Sequence, residues 1–195
     1  MSESLTTPSL GAGAVVVESP RLAIREMGPA DLPFVAAMLA DPEVMHLYPR
    51  VYTRRESEDW IAARRRSYRR HGYGFWLAVD RRTGDPIGQI GLNPPRVDGV
   101  PEADLGYLIH RPYWGLGYAT EGAAAVLAHA FAALDLPRVV CLIRPWHRAS
   151  HRVARRIGMA RDPGRIASLV GFDHWVFAAD RPGPHLGTNL LNPPG

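Results

Sequence analysis

The chain contains no lysine. All 23 basic residues among its 195 are arginines, which excludes the phosphate-binding loop that ends in Gly-Lys-Ser/Thr. There is one cysteine, Cys141, so an internal disulfide is impossible and a reducing compartment is indicated. No apolar run approaches the roughly 20 residues that span a bilayer, and the N-terminal segment lacks the basic start of a secretory signal. We therefore expect a cytoplasmic protein without a membrane partner.

Metal-ligand spacing is also missing. The eight histidines show no pattern such as H-E-x-x-H, so we expect no metal. The formal net charge is +4, and the excess of arginine is compatible with acidic ligands such as phosphates or with an ordinary soluble surface. We favour the ordinary surface and expect no nucleic-acid partner.

The pattern of apolar residues predicts a mixed order of strands and helices. A strand at "RLAIRE" is followed by two helices, three strands, a helix, a strand, a helix and one or two closing strands. The second helix has capping-box spacing at Thr53 and Glu56, and Gly72 can end it. This order predicts an α/β fold with a mixed sheet, in one domain over residues 19–180. We expect a flexible leader over residues 1–18 and a Pro/Gly-rich tail over 181–195.

The stretch "YWGLGYATEG" places Gly115 and Gly117 directly before the strongest predicted helix. Glycines allow close approach of backbone N–H groups to an anion, and a helix N-terminus attracts phosphate. A dinucleotide loop would need a third glycine where Thr120 stands, so that interpretation is poor. The remaining candidate is the pyrophosphate loop of acyl-CoA enzymes, which requires neither lysine nor metal.

Several segments, in their order along the chain, resemble the GNAT N-acetyltransferase superfamily. They are "RLAIREMGPADL", "GDPIGQIGL", "WGLGYATE" and "HRASHRVARRIGM". The likeness is greatest to the branch that acetylates the N-termini of ribosomal proteins, in which "W-G-x-G-Y-A-T-E" is the usual form of the loop. It covers about residues 20–180. What it implies is a central mixed sheet that is splayed between the fourth and fifth predicted strands, with helices on both faces.

The resemblance implies acetyl-CoA as co-substrate, bound in the wedge between "ADLGYLIH" and "RVVCLI". The pantetheine arm would bind to the first of these strands, and backbone amides of the glycine loop would hold the pyrophosphate. The expected cofactor-binding residues are Leu108, Ile109, His110, Gly115, Leu116, Gly117, Tyr118, Ala119, Thr120 and His147. His147 replaces the asparagine that the family usually has before its second CoA-facing helix.

Transfer to an amine also needs a base, an acid and a hydrogen-bond donor to the thioester carbonyl. We expect that donor to be a backbone N–H in a bulge of the fourth strand. Asp104 is the candidate base, with an ion pair or solvent exposure as its alternative. For Glu102 we favour surface exposure, and for Glu121 a structural role in the first turn of its helix. Many family members have a tyrosine acid where this chain has Ala154. The branch instead implies Ser150, which could also only cap the helix.

These features predict an acetyl-CoA-dependent N-acetyltransferase that acts by direct transfer in a ternary complex, as a monomer or homodimer. The acceptor is a primary amine, either a protein N-terminus or a small molecule. A non-catalytic acyl-CoA-binding or regulatory module is the alternative. The aromatic residues Trp60, Tyr68, Tyr73 and Trp76 could line an acceptor pocket, but we expect them in the core. The basic run "RRRSYRR" is more typical of a solvated helix face. Without lysine, the chain offers no side-chain amine of its own to acetylate.

Overall fold

The computed structural model describes residues 13–94, 96–97, 100–169 and 171–183. Within them, eight strands form one mixed sheet, two short strands form a separate ribbon, and four α-helices pack against the sheet. The strands are β1 (Val15–Glu18), β2 (Leu22–Arg25), β3 (Phe75–Asp80), β4 (Pro86–Asn93), β5 (Arg96–Val97), β6 (Val100–Pro101), β7 (Ala103–Ile109), β8 (Arg138–Ile143), β9 (Ala160–Leu169) and β10 (Phe172–Asp180). The helices are α1 (Leu32–Ala40), α2 (Arg54–His71), α3 (Tyr118–Ala132) and α4 (Arg148–Arg156).

The sheet has the order β1-β2-β3-β4-β7-β8-β10-β9 and is antiparallel except between β7 and β8. Those two parallel strands pair at only two positions, Ala103 with Val139 and Asp104 with Val140. Beyond Asp104 they separate, although β7 stays paired with β4 as far as Ile109 and β8 with β10 as far as Ile143. The predicted splay between the fourth and fifth strands, here β7 and β8, is confirmed.

Apolar side chains on the two faces of the sheet form two clusters. One face packs against α3 and α4 through residues that include Val126, Ala154 and Leu105. The other packs against α1 and α2 through residues that include Met38 and Ile61. Because side chains alternate along a strand, β7 sends its odd-numbered residues toward α3 and α4 and its even-numbered residues toward α2. The prediction of helices on both faces is confirmed.

The ends of α2 follow the sequence signals. Thr53 Oγ1 accepts from the Glu56 N–H, the Glu56 carboxylate accepts from the Thr53 N–H, and Gly72 ends the helix in the left-handed conformation with φ of 76°. None of the helices in the described part of the chain is long and apolar enough to cross a membrane.

Two expectations need correction. Val15–Glu18, placed by the sequence in a flexible leader over residues 1–18, form β1 and pair with β2. Residues 1–12 of that leader and 184–195 of the expected tail lie outside the described residues. The expected bulge in β7 is absent, since its pairing with β4 is continuous from Asp104 to Ile109. Gly106 instead allows a close approach, because a Cβ there would lie 2.4 Å from the ring of Phe75.

Candidate active site

The glycine loop leads directly into the first turn of α3. Gly115 and Gly117 have φ of 76° and 84°, a conformation that favours glycine. The first helical N–H with an acceptor four residues back is that of Glu121, which donates to Gly117 O over 3.1 Å. The N–H groups of Tyr118, Ala119 and Thr120 therefore have no partner within the helix and lie at its positive end.

Arg21 fixes the position of this loop. Its Nε pairs with Glu121 over 2.6 Å, and its Nη1 donates to Leu116 O over 3.0 Å. The guanidinium also lies 4.4 Å from the ring centre of Tyr118, whose hydroxyl donates to Asp80 over 2.8 Å. The structural role that the sequence favours for Glu121 is confirmed, because its carboxylate joins the start of α3 to the residue before β2.

A cavity of about 490 Å³, the loop cavity, lies between the glycine loop, the end of β7 and the first turns of α4. Of the expected cofactor-binding residues, it is lined by Leu108, Ile109, Gly115, Gly117, Tyr118, Ala119, Thr120 and His147. Arg152 and Arg156 also line it and make no ion pair with any described residue. Sequence reasoning did not identify these two arginines, although their spacing of four places them on one face of α4.

Backbone pairing decides which residues of β7 can bind a ligand in the wedge. The His110 N–H donates to Ile87 O, so alternation along an antiparallel pair directs the N–H and C=O groups of the even-numbered residues toward β4. The odd-numbered residues Tyr107 and Ile109 direct theirs toward the gap beside β8, where the Ile109 carbonyl already accepts from the Trp114 Nε1 over 2.7 Å. The sequence did not identify Tyr107.

The expected backbone contacts of Leu108 and His110 are therefore wrong. The polar groups of Leu108 face β4, and only its side chain lines the cavity. His110 O accepts from the Tyr113 N–H, so both of its backbone groups are already bonded. Its side chain stacks on Phe34, and it lies outside the lining of the loop cavity, as does Leu116.

A second cavity, the wedge cavity of about 310 Å³, occupies the gap between β7 and β8 on the side of α2. It shares five lining residues with the loop cavity: Leu47, Tyr107, Leu108, His147 and Ser150. The two cavities therefore meet at the gap.

Asp104 lies where the strands separate. Its Oδ1 accepts from the Leu142 N–H over 3.0 Å. This bond joins β7 to β8 two residues beyond Val140, the last residue of β8 that pairs with β7. The side chain of Asn93 also bonds the carboxylate. Burial raises the pKa of Asp104 to about 7, and these two hydrogen bonds oppose the rise only in part.

Ser150 and His147 lie at the N-terminus of α4, where both cavities meet. Ser150 is buried, and its carbonyl oxygen accepts from the Tyr107 hydroxyl over 3.2 Å. His147 precedes the helix without capping it through its side chain. Burial, with the nearby His46, lowers the pKa of His147, so a neutral imidazole faces the cavities at pH 7.

Three other sequence expectations are settled by side-chain position. Cys141 is a buried core residue, as expected. Glu102, expected at the surface, has a side chain that is only 8% exposed and pairs with Arg138 and Arg165. Tyr68 and Trp76 are core residues, as expected, and Trp60 and Tyr73 pack against the core. Trp60 also lines the wedge cavity.

We predict that Asp104→Asn stabilises the fold increasingly as pH rises. The folded-state pKa is raised above the ordinary value near 4, so ionisation costs stability between about pH 4 and pH 7. The neutral amide avoids this cost and keeps an oxygen for the Leu142 N–H. The gain in Tm over wild type should grow through that window and then level off, as measured by thermal unfolding.

Asp59→Asn is the matched control, because that side chain is 69% exposed on α2. A Tm difference for Asp104→Asn that falls with pH would contradict the assignment of a proton-retaining carboxyl.

Comparison with known proteins agrees with this arrangement. A model of the acetyltransferase (GNAT) domain matches residues 21–160. The uncharacterized protein YkkB of Bacillus subtilis (strain 168) is 36% identical over 119 residues, which cover 61% of this chain and 69% of YkkB.

Solved structures give the same result. An acetyltransferase from Agrobacterium tumefaciens str. C58 superposes with a TM-score of 0.73 and 30% identity, covering 89% of this chain and 99% of that one. RimL, a ribosomal L7/L12 α-N-protein acetyltransferase solved with coenzyme A, has the same fold, with a TM-score of 0.69 and 19% identity over 86% of this chain and 98% of its own. Because the family model spans most of the sheet together with the glycine loop and α4, the chain belongs to the GNAT acetyltransferase family.

Proposed function

We propose that this protein transfers the acetyl group of acetyl-CoA directly to a primary amine, with both substrates bound at once. The observation that carries the proposal is the meeting of two cavities at the gap between β7 and β8. One cavity ends at the glycine loop, and the other contains Asp104. A thioester in one cavity and an amine in the other can thus meet at the gap without a covalent enzyme intermediate.

The residues of the loop cavity fit coenzyme A chemically. The N–H groups of Tyr118 to Thr120 and the guanidinium groups of Arg152 and Arg156 suit its phosphates. The N–H and C=O of Tyr107 and the N–H of Ile109, which face the gap, suit the amides of the pantetheine arm, which would bind like an added strand. The neutral imidazole of His147 adds a hydrogen-bonding group at the same place.

Asp104 is the proposed base and Ser150 the proposed acid. The amine nitrogen attacks the thioester carbonyl while a β7 backbone N–H that faces the gap polarises the carbonyl oxygen. Asp104 takes the proton that the amine loses, and a pKa of about 7 suits that task near neutral pH. The carbon–sulfur bond breaks, Ser150 donates a proton to the departing thiolate, and the proton taken up by Asp104 returns to the Ser150 oxygen through solvent.

The acceptor class is a primary amine, either a protein N-terminus or a small molecule. RimL is described as acting on a protein α-amine, and this chain shares its fold. Turnover is measured as release of the CoA thiol with a panel of amines and peptides, beside thermal-shift titration with acetyl-CoA. Stabilisation by acetyl-CoA without turnover of any amine would indicate a binding or regulatory module instead.

We predict that Gly117→Val lowers the affinity for acetyl-CoA by roughly 100-fold or more, because a β-branched residue is strained at positive φ and its Cβ blocks the approach of phosphate. Isothermal titration measures the affinity. Gly72→Val is the control, since Gly72 has a similar φ of 76° at the end of α2. Gly72→Val should lose stability and keep its affinity, and equal affinities of the two variants would refute the loop assignment.

We predict that kcat rises with pH to a plateau with an apparent pKa near 7, because Asp104 must be ionised to accept a proton. Asp104→Asn should lower kcat by roughly 100-fold or more and remove this rise. Steady-state rates between pH 5.5 and 9 test it, and an unchanged pH profile in the variant would assign the base elsewhere.

We predict that Ser150→Ala lowers kcat by roughly 100-fold while the KM for acetyl-CoA changes little, since the hydroxyl acts on the leaving group. Ser67→Ala on α2 is the control, because its hydroxyl bonds only Tyr73 O. Loss of acetyl-CoA affinity without loss of kcat would make Ser150 a binding residue.

A further inference from the structure

Arg64 of α2 is a partly buried cation that pairs with no anionic side chain among the described residues. Its Nη1 donates to Asn93 Oδ1 over 2.9 Å, but within the described residues it makes no ion pair, and its buried Nε has no hydrogen-bond partner. Burial lowers the pKa of Arg64. A desolvated charge without a counter-ion is costly, so this position calls for an anion supplied from outside the chain.

The surroundings hold Arg64 in place. Its guanidinium lies 4.3 Å from the ring centre of Trp60, and the Trp60 Nε1 donates to Gln89 Oε1 over 3.0 Å. Gln89 is fully buried in β4. A guanidinium that is stacked and hydrogen-bonded loses little freedom when it binds a carboxylate or phosphate.

Arg64 is also close to the proposed base. Asn93 accepts from Arg64 through its Oδ1, and its side chain bonds the Asp104 carboxylate. One amide thus separates the guanidinium from the carboxylate. Both charged groups line the wedge cavity, so a single small molecule can contact the two of them.

The charge of this region opposes a purely cationic acceptor. Beside Asp104, the wedge cavity is lined by Arg64 and Arg144. The guanidinium carbon of Arg144 lies 3.8 Å from the ring centre of Phe172. The cavity continues into an open groove of about 810 Å³, the arginine groove, through Arg64, Asn93, Asp104 and Leu169. Its other basic residues are Arg66, Arg69, Arg70 and His71.

We propose that the acceptor is a primary amine that carries a carboxylate or phosphate, which Arg64 binds while the amine lies at Asp104. This inference rests on the proposed acetyl transfer and adds the class of acceptor. The anion supplies the missing partner of Arg64 and fixes the distance of the amine from the gap. Small amino acids and acidic peptide N-termini share this chemistry.

Matched pairs of amines test the proposal. Glycine is compared with glycinamide, O-phosphoethanolamine with ethanolamine, and a peptide beginning with aspartate and glutamate with the same peptide beginning with asparagine and glutamine. Spermidine is the cationic comparison. We expect kcat/KM, measured by CoA thiol release, to favour the anionic member by roughly 10- to 100-fold, the effect typical of a hydrogen bond to a charged group. The free compounds and the peptide distinguish a small-molecule from a protein acceptor. Equal rates within every pair, or a preference for spermidine, would overturn the proposal.

Arg64→Gln should raise the KM of the anionic acceptor by a similar factor, abolish the preference within each pair and leave the KM for acetyl-CoA unchanged. Arg64→Lys should restore part of the preference, because the charge is retained without the planar pair of donors. Arg65→Gln, an exposed neighbour on α2, should have no effect. A preference that survives in Arg64→Gln, with the fold verified by its Tm, would refute the role of Arg64.

Calorimetric titration of the same amines into the CoA-loaded protein separates this proposal from acetyl transfer itself. Binding of the anionic amines that requires Arg64, with no turnover of any amine, would support the anion site and refute acetyl transfer. Turnover of neutral and cationic amines alone would support acetyl transfer and refute the anion site.

Discussion

The separation of β7 from β8 is the constraint on which the rest of the site depends. Two parallel pairs hold these strands together at one end, and each then follows its other neighbour. If β7 and β8 stayed paired along their whole length, the backbone N–H and C=O groups of Tyr107 and Ile109 would bond β8, and no gap would remain between the strands. The gap leaves the backbone groups of Tyr107 and the Ile109 N–H for a ligand, while the Ile109 carbonyl accepts from the Trp114 Nε1, and the two cavities meet there. Asp104 lies at the vertex because its carboxylate bonds the Leu142 N–H, a group that a continuous ladder would have paired with backbone.

The sequence predicted the donor side of the site better than the acceptor side. Gly115 and Gly117 are recognisable because a turn at positive φ before a helix leaves few other residues possible. The backbone contacts of β7 were assigned wrongly at His110, since the direction of each N–H depends on pairing with β4, and the side-chain pattern does not reveal it. Apolar alternation located most of the strands and the four helices. It missed β1, which has only four residues and follows an unpatterned segment, and the two-residue strands β5 and β6, which are too short to show alternation.

The acceptor side depends on contacts between distant parts of the chain. Arg64 resembles its neighbours in a basic run, and only its stacking on Trp60 and its bond to Asn93 distinguish it from a solvated residue. Trp60 has the spacing of a core residue, yet the gap beside β7 leaves its ring facing a cavity. Glu102 likewise looks exposed in the sequence, and two arginines from other strands cover it. These ion pairs and side-chain contacts join residues tens of positions apart in the sequence, so they cannot be predicted from local periodicity.

The contacts of Arg21 connect the glycine loop to the edge of the sheet that β1 and β2 form. This one side chain bonds the carbonyl of Leu116 in the glycine loop and the carboxylate of Glu121, and it directly precedes β2, whose outer neighbour is the edge strand β1. Any ligand that orders the loop therefore also resists the local opening of β1 and β2. The thermodynamic relation is reciprocal, so fraying of that edge would weaken the binding of any ligand that orders the loop.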